Sequence, residues 1–246
     1  MSTFEHIICL YVCGSVALGP ELSWPLLASR YRVLRVIGRG TFSRTLCAED
    51  TYFPGRPLVA IKMMATKFNS IGIQECKILR YLNASDVNNS IPVVKIFNTF
   101  VFEQHFCLVF EYLEGGMLTT VPRNQSEHTR LHVIRKFACQ ILSALMYLQK
   151  MGILHADLKP DNILLDSGNS SALKIIDFGN AMNLDDVPIY FKTFEIQNPL
   201  YRAPEVLLGI PFGSAIDMWS LEDILLETTT AEGQEDPLLE ARSVSI

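Results

Sequence analysis

Residues 155–162 read His-Ala-Asp-Leu-Lys-Pro-Asp-Asn, and residues 177–179 read Asp-Phe-Gly. Four side chains in these stretches bear on one chemistry. Asp157 can orient a hydroxyl or accept its proton. Lys159 can neutralise charge on a transferring group. Asn162 and Asp177 offer oxygen ligands suited to a hard cation such as Mg2+. Moving a γ-phosphoryl group needs little covalent help from a protein: it needs cations on the phosphates and an aligned acceptor. Any one of these residues has an ordinary structural reading, such as Asn162 capping a turn. The four together, at this spacing, point to phosphoryl transfer.

Upstream lie two supporting signals. Gly38-Arg-Gly40-Thr-Phe-Ser43 keeps two of the three glycines of G-x-G-x-x-G. Glycine there lets backbone N–H groups approach phosphate oxygens without a Cβ in the way. Alone, such a stretch also suits any strand-to-strand turn. Lys62 sits inside the apolar run Leu58–Met64, where a charge is costly without a partner. Glu75, in the following helical stretch, is the natural partner, and snorkelling from an edge strand is the other reading.

Working outward, residues 31–37 alternate in polarity and predict a strand before the glycine turn. Residues 58–64, 93–97 and 106–110 predict further strands. Residues 72–83 predict a helix with Ile73, Cys76, Ile78, Leu79 and Leu82 on one face. From Ser126 the apolar residues Ile134, Ala138, Ile141, Leu142, Leu145 and Leu148 recur at helical steps, and Gly152 is placed to cap the helix. Short strands follow at 162–165 and 173–176, then an irregular stretch from Asp177 to about Pro204, then a helix from about Ser214. A β-rich part followed by a helical part predicts a two-lobed α+β fold.

The chain has 246 residues, 49% hydrophobic, with a formal net charge of −5. That is enough apolar material for a sizeable core, and no basic run suggests direct nucleic-acid binding. The six cysteines are scattered, and the expectation is buried thiols in a reducing compartment. Ile7–Leu18 is apolar but too short to span a bilayer and lacks a basic segment before it, so a packed leader over residues 1–30 is expected and no membrane association.

Residues 31 to about 221 resemble a eukaryotic Ser/Thr protein kinase. Glycine-rich loop, Val59-Ala-Ile-Lys62, helix glutamate, HxDLKPxN, Asp-Phe-Gly and Ala203-Pro204-Glu205 occur in order. The resemblance implies a small β-rich N-lobe and hinge over 31–113, a helical C-lobe over 114–229, and ATP with Mg2+ between the lobes. It implies that Gly38, Gly40, Lys62 and Glu75 handle phosphates, and that Ala60 and Leu164 sandwich the adenine. Phe110 becomes the gatekeeper, with backbone near Glu111 and Leu113 holding the base. Asp157 and Lys159 become catalytic, and Asn162 and Asp177 the metal ligands. Thr45 stands where a valine is usual. Protein substrates with Ser or Thr acceptors, a monomer, and a cytoplasmic or nuclear location are the matching expectations.

The motifs HADLKP, DFGNA, IQNPLYRAPE and GIPFGSAIDMWSL are similar to the CMGC branch, in particular to homeodomain-interacting and dual-specificity tyrosine-regulated kinases. Three departures stand out. Glu195 occupies the position of an autophosphorylated tyrosine, Pro199 that of an arginine, and Ala156 that of the arginine in His-Arg-Asp. A fixed charge at Glu195 in place of a switchable phosphate is the expectation that links them. Glu222-Asp223 follow Leu221, which predicts cost in a packed helix unless the pair is exposed or partnered. Residues 230–246 are polar and acidic and read as a disordered tail, and the last helices of the large lobe are expected to be missing, leaving Glu205 without its usual arginine. Three readings follow: an active Ser/Thr kinase, a weak or inactive relative that binds ATP or partner proteins, and, ranked below both, a secreted or membrane-attached protein led by residues 7–18.

Overall fold

The structure, a computed structural model, describes residues 26–115, 127–166, 172–192 and 196–230. The expectations for Ile7–Leu18, Glu195 and the segment after Thr230 fall outside these residues. The chain divides into two compact units, one of residues 1–76 with 95–112, the other of residues 77–94 with 113–246.

Among the described residues the first unit holds an antiparallel sheet of six strands. These are β1 (Leu26–Leu27), β2 (Tyr31–Arg39), β3 (Ser43–Asp50), β4 (Leu58–Met64), β5 (Ile96–Phe102) and β6 (His105–Glu111), in the spatial order β1-β2-β3-β4-β6-β5. The sheet therefore begins before Tyr31, with Leu27 facing Tyr31. Alternation places Val59, Ile61 and Met63 of β4 in the core with Leu46, Ala48, Cys107 and Val109, while Ala60 and Lys62 take the other face. In β2 the register slips between Val33 and Arg35 and again between Val36 and Gly38. Such bulges bend the strand, and Ile37, in phase with the buried Tyr31 and Val33, is turned outward and exposed. The predicted strand at 93–97 starts instead at Ile96. Val93 makes an isolated bridge to Ile175 in the second unit, so its extended backbone is used there.

Helix α1 (Asn69–Ser85) follows β4. Its start is tied to the β5–β6 turn: Asn69 accepts from the Phe106 N–H at 2.9 Å and donates to the Gln104 carbonyl at 2.7 Å. The face predicted from sequence is rotated slightly. Cys76, Ile78, Leu79 and Leu82 are buried as expected, but Ile73 is 42% exposed, and Gly72 and Glu75 lie inward instead. The reason is a close approach. A Cβ on Gly72 would come within 2.7 Å of Met64 Cγ and 3.1 Å of Phe106, so glycine lets the helix settle on β4 and β6 without displacing those side chains.

The second unit centres on helix α2 (Glu127–Lys150) and helix α4 (Ala215–Thr230), with the short α3 (Pro204–Leu207) before α4. Ile134, Ile141, Leu145 and Leu148 of α2 are buried at the predicted spacing, and Gly152 follows with φ +68°, the left-handed conformation of a C-terminal cap. Lys77–Val94 joins this unit because Tyr147 donates to the Leu82 carbonyl at 2.7 Å and the Val94 N–H to the Ile175 carbonyl at 3.0 Å. Short strands β7 (Ile153–Leu154), β8 (Ile163–Leu165), β9 (Leu173–Ile175) and β10 (Met182–Asn183) pair as β7 with β10 and β8 with β9. The stretch after Asp177 is less irregular than expected, since 3-10 turns form at Leu184–Tyr190 and Pro199–Tyr201. On α4 the Glu222–Asp223 pair splits: Glu222 is exposed and Asp223 is buried at 9% exposure. Glu205 is half-buried, and among the described residues no cation pairs with it.

Of the cysteines, Cys47, Cys76 and Cys107 are buried, and burial pushes the Cys107 thiol up to about 12. Cys139 departs from the expectation: it lies on the exposed face of α2.

One ion pair closes the edge of the first unit. Arg30 Nε and Nη2 donate to the two Asp50 oxygens at 2.7 and 2.6 Å. The guanidinium holds the Asp50 carboxyl below its ordinary value. A lowered carboxyl stabilises the fold above its unfolded pKa, and that stability fades as pH falls through the lowered folded value. Asp50→Asn should therefore destabilise the protein at pH 7, and the gap from the unaltered chain should close as pH drops below about 4. Urea unfolding across pH 3–7 checks this; a gap that stays constant into acid contradicts it.

Candidate active site

In the first unit, Lys62 Nζ donates to Glu75 Oε2 at 2.7 Å, with the Glu75 side chain 1% exposed and that of Lys62 14%. The partner expected from sequence is the one observed, and the snorkelling reading is set aside. Removing either member would leave a desolvated charge, a loss of about 3–5 kcal/mol. Strand register places Thr45 opposite both Gly38 and Lys62, so the polar replacement lies beside the glycine turn and the lysine. The turn closes by the Gly40 N–H donating to the Ser43 carbonyl at 3.0 Å, and Arg44 Nη1 donates to the Gly40 carbonyl at 2.9 Å. Ala60 is half-buried, and its register partner on β6 is the buried Phe110. The Glu111 side chain accepts from the Lys95 N–H at 2.7 Å, which fixes the end of β6.

In the second unit, the residues of the 155–162 stretch fold onto one another around buried anchors. Asp217 on α4 accepts the His155 N–H at 2.8 Å and the Ala156 N–H at 3.0 Å, one on each carboxylate oxygen. Burial pushes the Asp217 carboxyl up from its ordinary value, and His155 with the two amides pulls it back only in part. Ala156 takes φ +63° and is fully buried, a conformation that costs a non-glycine residue about 1–3 kcal/mol. His155 Nδ1 accepts the Asp157 N–H at 3.3 Å and Nε2 lies 3.1 Å from the Ile176 carbonyl, which together require the Nε2–H tautomer. The imidazole also meets the buried Phe178 ring edge-on, with centroids 4.9 Å apart.

This scaffold brings together all four residues singled out by spacing. Lys159 Nζ lies 3.0 Å from Asp157 Oδ2. Asn162 Nδ2 donates to the Asp157 carbonyl at 2.8 Å, so its amide nitrogen is engaged and its Oδ1 stays available as a ligand. The Asn162 carbonyl accepts the Ile176 N–H at 2.9 Å, which sets Asp177 beside it. Asp177 has φ +60°, and its Oδ1 accepts the Gly179 N–H at 3.3 Å. An amide oxygen and a carboxylate are the hard donors Mg2+ prefers, and that ion commonly takes only one or two protein groups beside phosphate and water. Leu164, on β8, is half-buried.

Sequence reasoning gave no role to Gln197. Gln197, at φ +64°, is 5% exposed. Its N–H donates to the Ala156 carbonyl at 3.0 Å, its Nε2 to the Ile216 carbonyl at 2.9 Å and to Ser220 Oγ at 2.7 Å, and its Oε1 accepts the Ala203 N–H at 2.9 Å. Its own carbonyl accepts Arg202 Nη2 at 2.8 Å. Tyr201 donates to Glu227 at 2.7 Å and is 8% exposed, and burial together with that bond pushes its phenol up. Glutamine carries no reactive group, so spacing alone had no reason to select it.

The protein kinase domain family matches residues 31–235 of this chain. A probable serine/threonine-protein kinase dyrk2 of Dictyostelium discoideum is 36% identical over 217 residues, covering 86% of this chain and 23% of that protein. The dual specificity tyrosine-phosphorylation-regulated kinase mbk-2 of Caenorhabditis elegans is 39% identical over 206 residues, 83% of this chain and 24% of that protein. Dual specificity tyrosine-phosphorylation-regulated kinase 3 of Rattus norvegicus is 37% identical over 208 residues, 84% and 34% respectively. The chain thus spans about a quarter to a third of the length of these relatives. Among solved structures, a crystal structure of a kinase domain is similar at a TM-score of 0.72 and 31% identity, over 86% of this chain and 68% of that one.

Asp217→Asn tests the anchor. An amide has one oxygen to offer two N–H groups and brings its own donor toward them. A loss of about 2–3 kcal/mol in folding stability is expected by urea unfolding. A loss below about 0.5 kcal/mol, the range of an ordinary surface change, contradicts the bracing role.

Proposed function

This chain belongs to the protein kinase domain family, and from that premise we propose that it transfers the γ-phosphoryl group of ATP to Ser or Thr hydroxyls of proteins. The observation that carries the reading is the arrangement of Asp157 with Lys159, Asn162 and Asp177 around one braced loop. Asp157 orients the acceptor hydroxyl and takes up its proton. Lys159 lies beside that carboxylate, where it offsets charge on the transferring group. Mg2+, when bound by Asn162 and Asp177, would neutralise phosphate charge. Lys62, aligned by Glu75, directs its ammonium toward phosphate oxygens. Lysine in Leu158-Lys159-Pro160 is the feature that favours Ser and Thr over Tyr as acceptors.

The purified chain with Mg-ATP and a basic protein substrate is expected to incorporate phosphate, and Asp177→Ala should lower kcat by roughly a hundredfold or more. No turnover by the unaltered chain, or turnover unchanged in Asp177→Ala, overturns the reading. A thermal shift with Mg-ATP but no turnover would favour the binding-only alternative.

We also propose a preference for proline directly after the acceptor residue. Gln197 packs its backbone against Ala156, next to Asp157, and Arg202 occupies its carbonyl. A substrate N–H brought there would compete with Arg202 for that carbonyl, and proline has no N–H to satisfy. Paired peptides with Ser-Pro and Ser-Ala should differ about tenfold or more in kcat/KM. Equal rates contradict the proposal.

A further inference from the structure

Asp157 carries two oxygens, and their surroundings differ. Oδ2 lies 3.0 Å from Lys159 Nζ, 3.3 Å from Asn180 Nδ2 and 3.5 Å from Asn162 Nδ2. Oδ1 makes no hydrogen bond to any described residue. Lys159 and Asn162 belong to the reaction as proposed above. Asn180 has no part in it so far, and its side chain is otherwise exposed.

The chain delivers Asn180 to this place by a short, anchored turn. Phe178 is fully buried against His155, and the Ala181 N–H donates to the Phe178 carbonyl at 3.1 Å. Gly179 lies between, its N–H held by Asp177 Oδ1. Asn180 is thereby the residue after Asp177-Phe-Gly whose amide reaches across 23 positions of sequence to the carboxylate.

We propose that Asn180 is a positioning residue of the phosphotransfer site. Its amide holds Oδ2 of Asp157, fixing the carboxylate plane so that Oδ1 is the oxygen left for the acceptor hydroxyl. Three donors on one oxygen and none on the other make the group asymmetric, so rotation about the Cβ–Cγ bond is resisted and the basic oxygen is always the same one. The inference rests on the kinase reading for its functional meaning, but the contact itself does not.

Two variants and one spectrum test it. Asn180→Ala removes the donor, and kcat should fall about tenfold with KM for ATP and for peptide within about twofold. Asn180→Asp keeps the shape but faces Asp157 with a second carboxylate, and kcat should fall about a hundredfold, again with KM little changed. A merely structural role at this exposed position would not rank Asp below Ala or confine the loss to kcat. Equal kcat in both variants and the unaltered chain, or a loss confined to KM, overturns the proposal. In parallel, the side-chain amide signal of Asn180 in a 1H–15N spectrum should move in Asp157→Ala. An unmoved signal overturns the contact. Absence of turnover in the unaltered chain would sink the kinase reading instead, and the spectrum would still decide whether Asn180 holds Asp157.

Discussion

A single buried carboxylate sets the frame for the second unit. Asp217 lies in the first turn of α4, where a negative charge is favoured by the helix dipole. It takes one backbone N–H from His155 and one from Ala156. That bridge reaches across 62 positions of sequence and ties a loop to a helix. Gln197 adds a second set of bonds from the later loop to Ile216 and Ser220 of the same helix. Both loops are therefore referenced to α4, and their spacing at Asp157 is a property of that helix.

The arrangement is held against resistance. Ala156, Asp177 and Gln197 all take left-handed backbone angles, at +63°, +60° and +64°. Each such residue costs about 1–3 kcal/mol unless its surroundings over-determine it. Here they do. Ala156 is bonded at both N–H and carbonyl, Asp177 caps its own turn, and Gln197 is held by backbone and side chain alike. Strain gathers where the polar groups must converge.

How much of this was legible in the sequence follows from which residues speak for themselves. Charged and metal-binding types at fixed spacing announced Asp157, Lys159, Asn162 and Asp177, and a lone lysine in an apolar run announced Lys62 and its need for Glu75. The period of α2 was plain, and residues 58–64 read as an apolar strand whose two faces the residue types did not distinguish. What escaped notice was tertiary. Gly72 reads as a weak helix residue until Met64 and Phe106 are seen above it. Ile73 looks like core because it is apolar, yet the close approach turns Gly72 inward in its place. Gln197, Asn180 and Tyr201 matter through partners far along the chain, and no local pattern marks such pairs. Cys139 looked buried by its neighbours and sits on the exposed face of α2.

The alternation in β4 has a consequence for how this gene can vary. Val59, Ile61 and Met63 point into the core, while Lys62 reaches Glu75 from the opposite face. Loss or gain of one codon within 58–62 would exchange the two faces, sending the ammonium into the core and an isoleucine to the Glu75 side. The turn from Tyr52 to Pro57 just before it is exposed throughout. Length changes should therefore accumulate in that turn and stop sharply at Leu58, so that the indel boundary itself marks the start of the strand that carries Lys62.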